Sequence, residues 1–308
     1  QKLTLRNSVV QVVFDTRTGI LSSYSYKGTE YLEKGPQPDF WRAVTDNDFG
    51  NAMPKNNINW KKVTLQQKLK SFDARALDAA TWQITAVWDL PEAGTSFSTV
   101  YTVNGTGKIH LKNRLEASAT EKSDIPRVGM VLCLKSGFEN MSWFGRGPWE
   151  NYVDRNVSAF VDLYQSKVDD QMVPYVRPQE NGNKTDVRWV ALSNANGQGL
   201  LAISDAREKG FETTAMPYLT ADFDARTGID YGPVHQEQKH PTDVKKQNLV
   251  RWNIDYFQRG LGSVDSWYSK PLAKYLLLPD KAYEYGFTFV PFDQVTAPAQ
   301  LVALSKQN

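Results

Sequence analysis

Apolar and polar residues alternate along much of this sequence, and this period of two constrains the fold more than any other feature. Between Trp82 and Trp88 every second residue is apolar, and Phe97–Val103 repeats the pattern after a turn predicted at Pro91–Gly94. Ile109–Leu115 supplies a third apolar face. No helical periodicity lasts longer than a turn or two, and strands do not alternate with helices. The sequence therefore predicts an all-β, antiparallel fold rather than a parallel barrel or a doubly wound sheet.

Similar segments occur on both sides of this region. Val9–Phe14 is predicted to form a hairpin with the strand that begins at Ile20, because Asp15–Gly19 supplies turn residues between them. Asn194–Gly197 predicts another hairpin turn. The stretch Ala297–Asn308 is expected to pack loosely or to belong to a tag or linker. Further strands are predicted at Val187–Leu192, Gly199–Ser204, Phe211–Met216, Leu249–Tyr256 and Tyr283–Val290.

Two stretches interrupt the alternation and are predicted to be long ordered loops. Trp143–Tyr152 contains two glycines and a proline, which are expected to break the hydrogen-bond ladder of a strand. Val173–Gly182 again places prolines beside aromatic, carboxylate and amide groups. Loops on a β scaffold commonly carry binding surfaces. The alternative is that both stretches cover the ends of a sheet and bind no ligand.

Charge and cysteine content exclude several classes of protein. The 36 basic and 34 acidic residues among 308 leave a formal net charge of +2, without the basic patch of a nucleic-acid-binding protein. No apolar run approaches the roughly 18 residues that a membrane helix needs. Cys133 is the single cysteine, and its apolar neighbours predict an inert thiol in a buried strand. The sequence starts without an initiator methionine, and we interpret it as a piece cut from a longer polypeptide or as a processed chain. No cellular compartment is therefore predicted.

Carboxylates and histidines are the candidates for acid–base chemistry. Hydrolysis of a glycosidic bond uses two opposed carboxylates, but loop carboxylates also form turns and salt bridges. His235 and His240 show no zinc spacing, and His110 is expected to be a solvated strand residue. Asp46 and Asp48 suggest a calcium loop, although the glycine and the distal glutamate of an EF-hand are absent. The loop carboxylates are Glu150, Asp154, Glu180, Asp186 and Asp265.

Aromatic residues make up 12% of the chain, and this richness favours either a large β core or the recognition of sugars. One tryptophan stands out by its surroundings. Gly260 and Gly262, followed by Asp265, Ser266 and Trp267, indicate a flexible backbone that turns sharply to present one indole ring. The ring either packs into the core or is the surface on which a sugar or a partner stacks.

Five short motifs combine aromatic residues, glycines and charged groups in a fixed order. They are Phe40-Trp41-Arg42-Ala43; Thr45-Asp46-Asn47-Asp48; Gly145–Tyr152 with Asp154-Arg155; Pro174-Tyr175 with Pro178–Gly182; and Gly260-Leu261-Gly262 with Asp265-Ser266-Trp267. Together they resemble the C-terminal domain of the large multidomain β-galactosidases of glycoside hydrolase family two, which in some bacteria is a separate small subunit. The resemblance extends from about Asp39 to Val290.

The resemblance implies a large antiparallel β-sandwich, or supersandwich, of the galactose-mutarotase-like type. Residues 1–34 are expected to be a leading strand or hairpin segment that packs on the main domain or links to it. Residues 35–293 are expected to form the sandwich, and residues 294–308 a C-terminal tail.

The resemblance also assigns roles to a few residues. The family's catalytic glutamates and magnesium ligands lie in a barrel domain, so no catalytic residue and no metal ligand is expected in this chain. Magnesium and sodium are expected only in the absent barrel. Trp267 matches the tryptophan that this domain contributes to the substrate pocket, with Asp265 and Ser266 beside it. Val44 replaces a usual proline, and Ser263-Val264 replaces the more usual glycine and aspartate, which alters the expected shape of that loop.

By resemblance, the chain is an accessory domain of an enzyme that hydrolyses terminal β-D-galactosides such as lactose, and it is expected to be inactive alone. Expected partners are the barrel and other domains of the same enzyme or its large subunit, a galactoside, and further copies of the complete enzyme, but neither nucleic acid nor membrane. The alternatives are a stand-alone aldose 1-epimerase and a carbohydrate-binding module. Charged groups packed among aromatic rings are also expected to form a mostly structural polar network. Its predicted members are Arg146, Glu150, Asn151, Arg155, Glu180 and Asn181.

Overall fold

Antiparallel strands dominate the fold, as the alternation predicted. The computed structural model describes residues 1–224, 239–265, 268–295 and 297–306. Short helices in these residues are α1 (Asp46–Gly50), α2 (Met53–Asn56), α3 (Ile58–Leu65), α4 (Thr220–Phe223) and α5 (Pro298–Ser305). The strands are β1 (Lys2–Arg6), β2 (Val10–Asp15), β3 (Ile20–Tyr26), β4 (Thr29–Glu30), β5 (Leu32–Asp39), β6 (Lys68–Ala76), β7 (Thr81–Leu90), β8 (Thr95–Asn104), β9 (Ile109–Leu115), β10 (Arg127–Lys135), β11 (Asn140–Gly147), β12 (Phe160–Lys167), β13 (Lys184–Val187), β14 (Trp189–Ser193), β15 (Gly199–Ser204), β16 (Phe211–Met216), β17 (Leu249–Gln258) and β18 (Tyr283–Phe292).

Two large sheets form a sandwich. One has nine strands in the order β12-β11-β14-β15-β18-β9-β8-β7-β6, and the other has five in the order β13-β16-β17-β10-β5. Both contribute alternate side chains to one apolar cluster, for example Tyr101 and Phe289 from the first sheet and Trp252 and Ile254 from the second. Because successive strand residues point to opposite faces, the same alternation leaves one face of each sheet outside this core.

A smaller sheet, β1-β2-β3-β4, precedes the sandwich. Phe14 packs on Tyr101 with ring centroids 5.1 Å apart, and the hydroxyl of Tyr24 donates a hydrogen bond to the carbonyl of Gly107 at 2.5 Å. These contacts join the small sheet to the core of the sandwich. The predicted domain boundary after residue 34 falls within β5, a strand of the five-stranded sheet.

Several expectations about local structure were wrong. Trp143–Gly147 is not a loop but the second half of β11, paired with β12 and β14. Gly145 fits there because an added Cβ would lie 2.7 Å from the Cα of Val187, so the glycine permits a close approach of two strands. Three short helices lie within residues 46–65. α5 packs Leu301 into an apolar cluster, whereas its segment was expected to pack loosely or to belong to a tag or linker. In the described part of the chain, no helix has the length and apolarity needed to cross a membrane.

Candidate functional site

The loop after β17 is held by the side chains of three other segments. Nδ2 of Asn47, in α1, donates hydrogen bonds to the carbonyl oxygens of Gly262 at 2.9 Å and Asp265 at 3.0 Å. Oδ2 of Asp154 accepts from the backbone amide of Gly262 at 2.9 Å. The guanidinium of Arg42 donates to the carbonyl of Gly260 at 3.1 Å. The start of the predicted substrate loop therefore has a fixed backbone position.

Both glycines of this loop serve close packing, which corrects the expectation of a flexible backbone. An added Cβ at Gly260 would lie 2.6 Å from Oδ2 of Asp154. Gly262 has a φ of +76°, and its Cβ would lie 2.2 Å from the carbonyl oxygen of Ser269. Trp267 and Ser266, the predicted stacking residue and its neighbour, lie outside the described residues.

The loop over residues 173–182 is tied to the same helix. Arg177 forms an ion pair with Asp46, and its guanidinium lies 4.5 Å from the ring centroid of Phe49. Nε2 of Gln179 donates to Oδ2 of Asp46 at 3.0 Å. Two loops that are distant in sequence therefore converge on α1, the loop after β17 and residues 173–182.

The contacts of Asp48 are those of a structural residue, although the sequence suggested a calcium loop. The hydroxyl of Thr45 accepts from the amide of Asp48 at 3.2 Å, and the amide of Thr45 donates back to the Asp48 carboxylate at 3.1 Å, so the pair caps α1. The same carboxylate receives Arg42 Nη2 at 2.9 Å, with both side chains buried. Its oxygens therefore serve a helix cap and an ion pair.

Glu150 is the centre of one group of predicted network residues. Its carboxylate accepts from Arg155 Nη2 at 2.7 Å, from the amide of Gly182 at 2.8 Å and from the hydroxyl of Tyr175. The carboxylate is buried in this ring of donors. Such a setting suits a group that holds two loops together, whereas a glycosidase carboxylate must face its substrate.

The other predicted network residues hold neighbouring backbone. Oδ1 of Asn151 accepts from the amide of Thr185 at 2.9 Å, and Oδ1 of Asn181 accepts from the amide of Val173 at 3.0 Å. Arg146 pairs with Asp186 at 2.5 Å. Glu150 and Arg155 therefore contact each other directly. Asn151, Asn181 and Arg146 each contact a different partner.

A buried ionic cluster around Arg127 was missed by the sequence analysis. Its guanidinium nitrogens lie 3.0 Å from Asp39, 3.1 Å from Glu180 and 3.2 Å from Asp255. All four side chains are buried on the outer face of the five-stranded sheet, beneath the loops. Burial alone would lower the pKa of Arg127, but the three carboxylates raise it. The signal in the sequence was the alternation in β17, where Asp255 lies two residues after Asn253 among apolar neighbours.

Two further buried groups have shifted pKa values. Burial lowers the pKa of Lys184 to about 8, although Glu150 nearby opposes the shift. Burial and the adjacent Asp255 raise the pKa of Glu212 well above its usual range. Both side chains lie close to the loops described above, so this end of the molecule concentrates desolvated charge.

The two described histidines are at least partly exposed to solvent, whereas the cysteine is buried. Nε2 of His110 lies 2.8 Å from Oδ2 of Asp205, and both side chains are partly solvated, as expected for His110. His240 is exposed, and His235 lies outside the described residues. Cys133 is buried in β10, as predicted, and burial raises the pKa of its thiol.

Large apolar side chains remain in solvent where the loops converge. Trp149, Val176, Val264 and Tyr268 are 54%, 88%, 63% and 61% exposed. Val264 and Tyr268 belong to the loop that Asn47 and Asp154 anchor, and Val176 precedes the ion-paired Arg177. Exposed apolar groups on an anchored backbone are typical of a surface that another part of a protein covers.

Comparison with known proteins decides the family. Residues 6–289 match the family described as "Beta galactosidase small chain". The chain belongs to this family. β-Galactosidases of Priestia megaterium and of Lactobacillus delbrueckii subsp. bulgaricus are 34% and 30% identical over 293 and 291 residues, each covering 94% of this chain. These matches cover 26% and 27% of the relatives, so the chain spans about a quarter of their length.

The fold is of the galactose-mutarotase-like type that the family resemblance implied. A solved protein of Escherichia coli K12, described as an aldose 1-epimerase, superimposes with a TM-score of 0.50 over 95% of this chain and 99% of its own. Their sequences are 6% identical, so this similarity concerns the fold alone.

Proposed function

We propose that the chain is an accessory domain of a β-galactosidase, and that the end of the sandwich around α1 packs against the catalytic remainder of that enzyme. The observation that carries the proposal is the group of exposed apolar residues on the anchored loops, in a chain that spans a quarter of its relatives' length. In this arrangement the catalytic glutamates, magnesium and sodium belong to the remainder, and the complete enzyme is a homo-oligomer.

The anchored loop supports a direct contribution to the substrate pocket. Asn47, Asp154 and Arg42 fix the backbone on the approach to Trp267, and a fixed backbone reduces the entropy lost when a ring meets a sugar. The proposed substrate is a β-D-galactoside such as lactose, with the indole of Trp267 stacked on the sugar. The carboxylates of Glu150 and Glu180 bind donor groups of this chain itself, which supports a non-catalytic role for them.

The test is kinetic and uses the complete enzyme. Trp267→Ala should lower the affinity for lactose about tenfold or more, because loss of an aromatic contact of roughly 1.4 kcal/mol corresponds to a factor of ten. Leu77→Ala, an exposed apolar residue in the β6–β7 connection, is the control and should leave the kinetics unchanged. The isolated 308-residue chain should release no product from a chromogenic galactoside. Normal lactose kinetics in the Trp267 variant, or turnover by the chain alone, would contradict the proposal.

A further inference from the structure

A cleft of about 710 Å³ opens between the two sheets of the sandwich. β9, β15 and β18 of the nine-stranded sheet line one side, and β13, β16 and β17 of the five-stranded sheet line the other. Clefts of roughly 300–1,000 Å³ with a few convergent polar groups are the usual size of small-molecule sites. One or two sugar rings fit within these dimensions.

Tyr256 follows Trp252 and Ile254 on the inner face of β17, at a point where the strand is irregular. Pairing with β10 passes from Val128 opposite Phe257 to Gly129 opposite Asp255, so Tyr256 is the extra residue of a β-bulge. Bulges are common beside functional sites. The ring of Tyr256 is 41% exposed, although Asp255 next to it is buried.

Other rings hold Tyr256 in place. Its centroid lies 5.6 Å from that of Tyr283 and 6.1 Å from that of Tyr285. The hydroxyl of Tyr285 in turn donates to the carbonyl of Ile254 at 3.1 Å. The exposed ring is therefore backed by packed neighbours and offers a flat, preorganised surface.

Polar side chains also line the cleft in pairs. Lys112 and Glu284 are 2.9 Å apart, and His110 and Asp205 are 2.8 Å apart. The cleft thus offers both donors and acceptors around an aromatic face.

We propose that this cleft is a binding site for a neutral saccharide, with one pyranose face stacked on Tyr256 and its hydroxyl groups bound by the polar side chains of these two pairs. A pyranose combines an apolar C–H face with a rim of hydroxyls, which matches a ring flanked by donors and acceptors. An anionic ligand is disfavoured, because the carboxylates of Asp186, Asp205 and Glu284 line the cleft beside Lys112 and Lys209. Binding occurs in this chain alone and is independent of the proposed function.

The experiment is a calorimetric titration of the isolated chain with lactose, maltose and cellobiose, and with mannitol, a polyol without a pyranose face. At least one disaccharide should bind saturably, and mannitol should not. Tyr256→Ala should weaken that binding about tenfold or more, whereas Tyr256→Phe should stay within about threefold, since the ring face remains. Phe160→Ala, an exposed aromatic residue of β12, is the matched control and should bind as the wild type does.

Several outcomes of this titration would contradict the proposed saccharide site. The proposal is wrong if none of the three disaccharides binds, if mannitol binds equally well, or if Tyr256→Ala, shown by circular dichroism to be folded, binds like the wild type. Loss of binding in Trp267→Ala with normal binding in Tyr256→Ala would place the sugar at the loop after β17 instead. That result would overturn the cleft site while supporting the proposed function, so the two proposals fail separately.

Discussion

The Arg127 cluster on the five-stranded sheet is buried, whereas the Lys112–Glu284 pair on the nine-stranded sheet lies in solvent. Arg127 lies within 3.2 Å of three carboxylates and is fully buried. Lys112 and Glu284 are equally close, at 2.9 Å, yet their side chains are 55% and 44% exposed. Breaking a buried ion pair commonly destabilises a protein by about 3–5 kcal/mol, whereas an exposed pair contributes about 0–1 kcal/mol. Burial, and not distance, therefore sets the expected energetic difference between these two groups of charges.

The largest expected effect follows from removal of Arg127. Arg127→Met leaves the carboxylates of Asp39, Glu180 and Asp255 together in a desolvated site, and we expect a loss of about 3–5 kcal/mol in the free energy of unfolding, measured with urea. If the variant does not fold, Arg127→Lys keeps one charge and should show a smaller loss. A change below about 1 kcal/mol in Arg127→Met would show that this cluster behaves like an exposed pair.

A pH-dependent effect is expected next, at Lys184. Its pKa is lowered from 10.5 to about 8 by burial, so between these pH values the unfolded chain binds a proton that the folded chain lacks. Stability contributed by this group therefore rises with pH from about 8 to 10.5, by on the order of 3 kcal/mol in total. Below pH 8 the folded chain bears the full penalty of a buried ammonium.

Lys184→Met isolates this contribution. The difference in unfolding free energy, wild type minus variant, should increase between pH 7 and pH 10.5 because methionine does not titrate. Comparing the two proteins removes the effect of other groups that titrate in the same range. A difference that stays constant across this range would mean that Lys184 titrates at its ordinary pKa.

The smallest effect is expected on the nine-stranded sheet. Lys112→Met removes the exposed partner of Glu284 and should change the free energy of unfolding by less than about 1 kcal/mol. The change should shrink further in high salt, because solvent ions screen exposed charges. A loss as large as that in Arg127→Met would remove the distinction between the two sheets.

The strands were largely predictable, because period-two alternation is a local property. Gly199–Ser204 and Phe211–Met216 were predicted with the bounds that the structure has. β11 was missed because its glycines were interpreted as strand breakers. In the fold, the Cβ that Gly147 lacks would lie 2.8 Å from the ring of Tyr164, so the glycine reflects a neighbour that the local sequence does not reveal.

The site was predictable only in part, for the same reason. Motif resemblance located the converging loops and Glu150, since those residues lie in short runs. Arg127 contacts side chains that are 53 or more residues away in sequence, and no local sequence pattern predicts such a contact. The bulge at Tyr256 depends on its register with β10, which alternation within β17 does not encode.

The Arg127 cluster also bears on the order in which the chain can fold. Asp39 and Asp255 flank the guanidinium from near the start and near the end of the sequence, so the ion cluster closes only after most of the chain has been synthesised. Contacts of such large sequence separation form slowly, because the intervening chain must first be ordered. A ribosome-bound chain that ends before β17 would hold Arg127 without Asp255, and the five-stranded sheet would lack one of its central strands. Completion of this domain therefore requires that β17 has been synthesised, and a nascent chain stalled before that point should be a substrate for chaperones.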